Sequence, residues 1–161
     1  SLLRDNLARQ LFQIRPTCRY GYTWYPCSVQ MKNGDVIERV YFFNVDHLKN
    51  DLWIDDDRLF YSLDDVVEIK ESPYRIPEVF WNKLANAGET AMGYLAFKLK
   101  FSDGTIFPYA SDGYYLDFFE MPEGKTEADI VDAFPFNPRV EKQLGKFYKS
   151  AKYGFIYYRK E

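Results

Sequence analysis

The clearest predicted strand runs from Tyr94 to Phe101. Apolar side chains occupy every second position there, at Leu95, Phe97, Leu99 and Phe101, with alanine or lysine between them. This alternation is typical of a β-strand that buries one face. The Ser-Asp-Gly sequence that follows is typical of a tight hairpin turn, so the chain is predicted to return in an antiparallel strand.

The return strand begins at Thr105 and contains Pro108. Because proline has no N–H to give to a neighbouring strand, we expect this strand to lie at the edge of a sheet. A second Asp-Gly turn then leads to a third predicted strand, Tyr114–Glu120. The other predicted strands, the first two of which flank an Asn-Gly hairpin turn, are Cys27–Met31, Val36–Asn44 and Tyr153–Arg159.

Three amphipathic helices are predicted between these strands. The first carries leucine at every fourth position near the N-terminus and ends before Pro16. The second begins at Pro77, a favoured residue for a first helical turn, and stops at Gly88. The third covers residues 139–151, which would place an apolar stripe on one helix face.

Similar short sequence motifs recur along the chain at similar spacing. Pro77 and Pro138 are each followed 16 residues later by a glycine and an aromatic residue that open a strand. Two hairpins are each followed by a segment that begins like a helix cap, with Ser or Thr and an acid three residues on. We therefore predict an internally duplicated helix-hairpin unit, and chance similarity among common turns is the alternative. The predicted copies cover residues 5–76 and 77–137, with a partial third copy over residues 138–161.

Together these elements predict an α+β fold. We expect a mostly antiparallel sheet of about six or seven strands with helices on one face. A chain of 161 residues suits a single domain over residues 1–161. Since no apolar run reaches the roughly 18 residues of a membrane-spanning helix and no signal-peptide pattern is present, we expect no membrane partner and a cytoplasmic location.

Charge is distributed unevenly, although the net charge is only −3. Residues 35–72 carry −7, whereas residues 138–161 carry +5. The acidic total disfavours nucleic acid as a partner, and the lysines of the third predicted helix are interpreted as its polar face. An acidic surface suits a partner protein with a basic surface; the alternative is that oppositely charged segments neutralise one another in the fold.

The sequence predicts no catalytic residue, no metal site and no cofactor. His47 is the only histidine, and no nucleophile motif accompanies it. The aspartates at positions 55–57 lack the glycine and distal glutamate of a calcium loop, and no glycine-rich phosphate-binding loop is present. We interpret residues 46–61 as an acidic surface loop. Cys18 and Cys27 could form a disulfide only if a turn brought them together, so their pairing is left open.

Aromatic residues make up 19% of the chain, and four of them crowd the segment from Tyr20 to Tyr25. Strand alternation would place Tyr22 and Trp24 on one side of a strand and Tyr25 near the other. If one side faced solvent, these three residues would form a recognition surface, whereas burial on both sides would make them core.

Two charged residues are the other binding candidates. Glu89 lies between Gly88 and Gly93 in a short linker, and Arg75 precedes the second predicted helix. A carboxylate and a guanidinium brought together could serve as the polar groups of a binding site. The alternative for Glu89 is that its side chain caps a backbone N–H.

Several short sequence segments together resemble those of one family. They are Tyr20–Tyr22, Tyr25–Cys27, Glu71–Pro77, Gly88–Tyr94, Phe101–Gly104, Asp117–Phe118, Pro122–Gly124 and Ala128–Val131. Over residues 18–135, this set resembles a family of small bacterial proteins of unassigned function. The resemblance implies a bacterial source and a single-domain α+β protein, and it implies no activity and no catalytic residue.

These observations favour a non-enzymatic protein-recognition module. One version is an immunity-type protein, which neutralises a toxin by covering its basic active site, since acidic charge promotes such association. The alternative is a small-molecule-binding protein or an enzyme, with a pocket between sheet and helices to which Glu89, Arg75 and tyrosines supply polar groups. The sequence leaves open whether the protein forms a homodimer.

Overall fold

The chain folds into two compact units. The first consists of Ser1–Pro73 together with Lys152–Glu161, and the second consists of Tyr74–Ala151. The residues described by the computed structural model are 1–47, 59–88, 90, 94–112, 114–140 and 145–160. Each unit has its own sheet and its own hydrophobic core.

The described residues form two α-helices, three short 3-10 turns and nine β-strands, in a mixed α+β arrangement. The helices are α1 (Asp5–Leu11) and α2 (Glu78–Ala87), and neither they nor the 3-10 turns are long and apolar enough to span a membrane. The 3-10 turns are Val45–His47, Leu63–Asp65 and Glu127–Asp129. The strands are β1 (Thr17–Arg19), β2 (Tyr22–Met31), β3 (Val36–Asn44), β4 (Leu59–Phe60), β5 (Val66–Lys70), β6 (Leu95–Phe101), β7 (Ile106–Ser111), β8 (Ile130–Pro135) and β9 (Gly154–Tyr158).

The sheet of the first unit is mixed. Its strand order is β1-β2-β3-β9-β4, and β5 also pairs with β2. β2 and β3 form an antiparallel hairpin whose turn contains Gly34 at a φ of 92°, a conformation that favours glycine. β9 runs parallel to both β3 and β4. The prediction of a mostly antiparallel arrangement therefore holds for the strand pairs in general, but the structure has two sheets and one of them is mixed.

Both faces of the first sheet are buried near its centre. One face packs with α1: Leu11 of the helix joins a cluster of fully buried sheet side chains that includes Cys27, Val40, Phe42 and Ile156. On the other face, cross-strand pairing places four aromatic rings together, each at most 5% exposed. These rings, which we call the aromatic core, are Trp24, Tyr41, Phe43 and Phe155.

The sheet of the second unit is antiparallel, with β6 between β7 and β8. Its core joins β6 side chains such as Phe97 and Leu99 to Leu84 of α2. Pro77 caps α2, and Gly88 ends it at a φ of 74°, so the predicted bounds of this helix are confirmed. The alternating strand is confirmed as β6, and β7, which contains Pro108, is the outer strand on its side, as predicted.

Two further predictions are wrong. Residues 114–120 form no strand of a sheet: residues 115–119 are all buried, and Phe118 and Phe119 make only isolated bridges, to Arg75 and Ser150. The third predicted helix is also not formed over residues 145–151, whose backbone bonds to β7 instead. There the Tyr148 N–H donates to the Pro108 carbonyl at 2.9 Å, and the Ala110 N–H donates to the Tyr148 carbonyl at 2.9 Å. Backbone partners at a strand edge thus outweigh the apolar periodicity of this segment.

The two capped segments are present but form 3-10 turns rather than helices. Ser62 Oγ accepts a hydrogen bond from the Asp64 N–H at 3.2 Å, and Thr126 forms a reciprocal capping box with Asp129. Each turn leads directly into a strand, β5 or β8. Neither strand is predicted from the sequence, because each is short and follows its turn without an intervening loop.

Asp103 fastens the turn of the second hairpin. Its Oδ1 accepts hydrogen bonds from the N–H and hydroxyl of Thr105 at 3.0 and 2.6 Å, and its Oδ2 accepts one from Lys125 Nζ at 2.5 Å. The hydrogen bond from Lys125, followed by those from Thr105, holds the pKa of Asp103 well below its usual value. Because the folded state binds this proton more weakly, Asp103 stabilises the fold above the ordinary carboxyl pKa of about 4 and loses this contribution as the pH falls further.

We therefore expect Asp103→Asn to be less stable than the wild-type protein at neutral pH and to change less between about pH 5 and about pH 2. Thermal unfolding followed by circular dichroism across this range measures both effects. Glu123→Gln, which removes another exposed carboxylate of the same unit, is the matched control. Parallel pH profiles for the wild type and Asp103→Asn would contradict the prediction.

Candidate functional site

The three aromatic candidates lie on β2 but differ in exposure. Trp24 is completely buried, with its ring centroid 5.6 Å from that of Phe43 and 6.4 Å from that of Tyr41. It is therefore part of the aromatic core, which is the alternative that the sequence left open for it. Tyr22 and Tyr25 are half-buried, so part of each side chain reaches the surface.

Tyr25 meets a ring that the sequence analysis did not single out. Phe12 follows α1, is 43% exposed and packs edge-on against Tyr25, with 5.7 Å between the ring centroids. Lys160 Nζ lies 4.4 Å from the centroid of the Phe12 ring, within the range of a cation–π contact. We call Phe12, Tyr25 and Lys160 the Phe12–Tyr25 patch.

The electrostatics of the patch follow from partial burial. Burial raises the pKa of the Tyr25 hydroxyl, and Coulombic repulsion from the nearby Cys18 sulfur raises it further. Tyr25 therefore stays a neutral hydrogen-bond donor at physiological pH. A rigid ring pair with one hydroxyl and one adjacent cation can bury apolar area and direct a few polar contacts, a combination enriched where proteins bind one another.

A sequence signal for Phe12 does exist. The predicted stripe of the first helix passes through Leu3, Leu7 and Leu11, and Phe12 lies one position off it. An aromatic residue off the buried stripe at the end of a helix points away from the core that the stripe covers. Its contact with Tyr25, however, depends on how α1 packs on the sheet, which the pattern does not specify.

Arg75 is buried in the second unit and forms an ion pair there. Its Nε lies 3.5 Å from Oδ1 of Asp117, and the two side chains are 5% and 0% exposed. The Ile76 N–H donates to the Asp117 carbonyl at 2.9 Å, so backbone and side chain of Asp117 both bind the same segment. The predicted partner of Arg75, Glu89, lies outside the described residues.

Three clefts are candidate ligand sites, each confined to one unit. One, of about 260 Å³, is lined by β2, β3 and β5 and includes Glu38, Glu68 and Glu71. A second, of about 300 Å³, lies in the second unit beside Ser111, Asp112 and Ser150. The third, of about 330 Å³, lies beside the first half of β3. Arg75 lines none of these three clefts.

The remaining candidates from the sequence are possible metal ligands, the two cysteines, the aspartates and the lysines. Within the described ranges, no three His, Cys, Asp or Glu side chains are grouped so that they could hold a metal ion. Cys18 is exposed and Cys27 is buried, and they form no disulfide. The aspartates at positions 51 and 55–57 lie outside the described residues. Lys146 and Lys149 are exposed on a segment that is not helical, so they form no helical stripe.

Comparisons with known proteins identify no relative. No family model matches the chain, and neither the curated proteins nor the solved structures contain a match.

Proposed function

We propose that the protein is a non-enzymatic protein-recognition module that binds another protein through the Phe12–Tyr25 patch. The observation that carries this proposal is the exposed ring of Phe12, held against Tyr25 and beneath the Lys160 ammonium group. A side chain held by such contacts loses little conformational entropy on binding. Tyr22, also half-buried on β2, is the further candidate from this strand.

The immunity-type version of this function remains part of the proposal. The charge of −7 over residues 35–72 suits a partner with a basic surface, whose association it would accelerate. We also propose that the protein belongs to a bacterial family and lies in the cytoplasm, because the sequence alone favours both.

The pocket-based alternative gains no support from Arg75. In a binding site its guanidinium would have to release Asp117, and breaking a buried ion pair costs several kcal/mol. We therefore favour recognition through a surface over recognition in a pocket built around Arg75.

The internal duplication is also proposed here, and matching backbone hydrogen bonds support it. In each unit two backbone hydrogen bonds close the hairpin turn, and the first residue of the turn donates another to the last residue of a 3-10 turn. In the first unit these bonds are Met31 N–H to Asp35 O, Gly34 N–H to Met31 O and Lys32 N–H to Asp65 O. In the second unit they are Phe101 N–H to Thr105 O, Gly104 N–H to Phe101 O and Ser102 N–H to Asp129 O. A crystal structure in which residues 21–68 and 93–132 did not superpose would contradict the duplication.

Affinity capture tests the recognition function. Phe12→Ser removes the exposed ring without emptying a buried site, and Val79→Ser, at a 59% exposed position on α2, is the matched control. We expect the wild type and Val79→Ser to retain the same partner, and Phe12→Ser to bind it about tenfold more weakly or worse. Titration of the isolated partner by calorimetry gives the three affinities. Equal affinities, or no protein partner at all, would contradict the proposal.

A further inference from the structure

Residues 148–151 lie beside β7 in the second unit. Tyr148 is hydrogen bonded to β7 through both its N–H and its carbonyl, and the two segments run parallel there. On the other side, Ser150 forms an antiparallel bridge with Phe119. The segment is therefore bound to β7 at Tyr148 and to Phe119 at Ser150, which lies further along the chain.

The hydrogen-bonded ladder between this segment and β7 is short. The bridge between Ser150 and Phe119 is closed by the residues that flank the pair, and one of its bonds runs from the Glu120 N–H to the Lys149 carbonyl at 2.9 Å. In such a pair, the N–H of the bridged residue itself points away from the partner strand. The Ser150 N–H therefore points towards β7, where the next hydrogen bond of a continued ladder would join it to the Ala110 carbonyl.

The Ala110 carbonyl points into this gap between β7 and Ser150. The Ala110 N–H donates to Tyr148, and the N–H and C=O of one residue lie on the same side of a strand. Ala96, which pairs with Ala110 from β6, gives its N–H to Thr90 Oγ1 at 2.9 Å instead. Among the described residues, neither the Ala110 carbonyl nor the Ser150 N–H has a hydrogen-bond partner, so both are available to a ligand.

These two backbone groups belong to the cleft of about 300 Å³ in the second unit. The residues that line this cleft, which we call the Lys149–Asp112 cleft, are Tyr94, Ala110, Ser111, Asp112, Lys149 and Ser150. Asp112 and Lys149 are exposed and carry opposite charges. Within the part of the chain that the structure describes, neither side chain forms an ion pair, so both charges are available to a ligand.

Strand alternation places the two charged side chains on the face opposite the hydrophobic core. Tyr109 and Tyr148, which bridge to each other, pack in the core. Because successive residues of a strand point to opposite faces, Ala110 and Lys149 point to the other face, and Asp112 joins them there. The side chain of Ala110 is a single methyl group, which leaves room between the two charged side chains.

We propose that the Lys149–Asp112 cleft binds a free α-amino acid with an aliphatic side chain. The wall formed by residues 149 and 150 offers an ammonium group and an N–H, which suit a carboxylate. The wall formed by β7 offers the carboxylate of Asp112 and the carbonyl of Ala110, which suit an ammonium group. A zwitterion uses all four groups, and the ring of Tyr94 suits its aliphatic side chain. A volume of about 300 Å³ is at the lower end for small-molecule sites.

The neighbouring polar contacts leave both charges in place. Asp112 Oδ1 accepts a hydrogen bond from the Tyr114 N–H at 3.0 Å, which leaves the second oxygen of this carboxylate for the ligand. Glu120 Oε1 accepts the Lys149 N–H at 3.2 Å, but Glu120 does not line the cleft. The inference is independent of the proposed recognition function, because the cleft lies in the second unit and the Phe12–Tyr25 patch lies in the first.

The test compares three ligands that differ in charge. They are L-leucine, L-leucinamide, which lacks the carboxylate, and N-acetyl-L-leucine, which lacks the ammonium group. Amide chemical shifts of the ¹⁵N-labelled protein locate binding and give the affinities. We expect leucine to shift the signals of residues 110–112 and 149–150, and each analogue to bind at least about tenfold more weakly because it loses one charged contact.

The protein variants are Asp112→Asn and Lys149→Gln, and the control is Lys146→Gln, which removes an exposed lysine that does not line the cleft. We expect each of the two cleft variants to bind leucine about tenfold more weakly and the control to bind it like the wild type.

Three results would overturn the inference. They are the absence of shifts at about 10 mM leucine, which would saturate a millimolar site, an analogue that binds as tightly as leucine, and cleft variants that bind leucine like the wild type. None of them changes the result expected for capture of a protein partner by Phe12→Ser.

Discussion

Asp117→Ala is expected to destabilise the second unit by about 3–5 kcal/mol, because it leaves the buried guanidinium of Arg75 without its counter-charge. Both side chains lie almost entirely out of solvent, so water cannot replace the lost carboxylate. Urea unfolding followed by circular dichroism measures the change in the free energy of unfolding.

A second variant separates the charge effect from the loss of packing. Arg75→Met combined with Asp117→Leu replaces both charges by apolar side chains, and we expect the double variant to be more stable than Asp117→Ala. If the double variant were the less stable of the two, the buried charge would not be the reason for the loss.

Gly154→Ala is expected to cost about 1–3 kcal/mol, the range of an overpacked core position. A Cβ at this position would overlap the ring of Tyr61, lying 2.8 Å from Cδ2, and would also come within 3.3 Å of the Leu59 carbonyl oxygen. The ring is rigid and its residue is bonded to β9, because the Tyr61 N–H donates to the Phe155 carbonyl at 2.9 Å. The loss of stability therefore comes from the steric clash with Tyr61 and not from a strained backbone conformation at Gly154.

A double-mutant cycle checks this assignment. In a Tyr61→Ala background the same Gly154→Ala change meets no ring, so its cost is expected to fall by at least about 1 kcal/mol. Thermal and urea unfolding of the four proteins give the coupling free energy. An unchanged cost of Gly154→Ala in that background would show that the clash with Tyr61 is not the cause.

The elements that the sequence predicts well are those determined by neighbouring residues. β6, its hairpin turn and α2 follow from local alternation, an Asp-Gly turn and a proline–glycine pair. The sequence predicts β9 as a strand but not its parallel pairing with β3, because the two strands lie far apart in the chain. The division into two sheets also depends on pairing between strands that lie far apart in the chain.

For the candidate site residues too, the sequence predicts local placement but not burial or long-range partners. The spacing of Tyr22, Trp24 and Tyr25 predicts which sheet face each occupies, but the complete burial of Trp24 depends on what the rest of the fold places over it. The sequence identifies Arg75 as a candidate, but no sequence pattern links it to Asp117, with which it forms an ion pair. The role proposed for Phe12 rests on its contact with Tyr25, which the sequence does not specify.

The position of β9 in the sequence affects how the first unit can fold while the chain is being synthesised. β9 lies between β3 and β4 in the first sheet, yet it follows the whole second unit in the sequence. On the ribosome, the first seventy-three residues therefore emerge without the strand that joins β3 to β4, and the second unit can fold before the first is complete. Nascent chains stalled ahead of Gly154 would present unpaired edges at β3 and β4, the kind of surface on which chaperones act and from which aggregation starts.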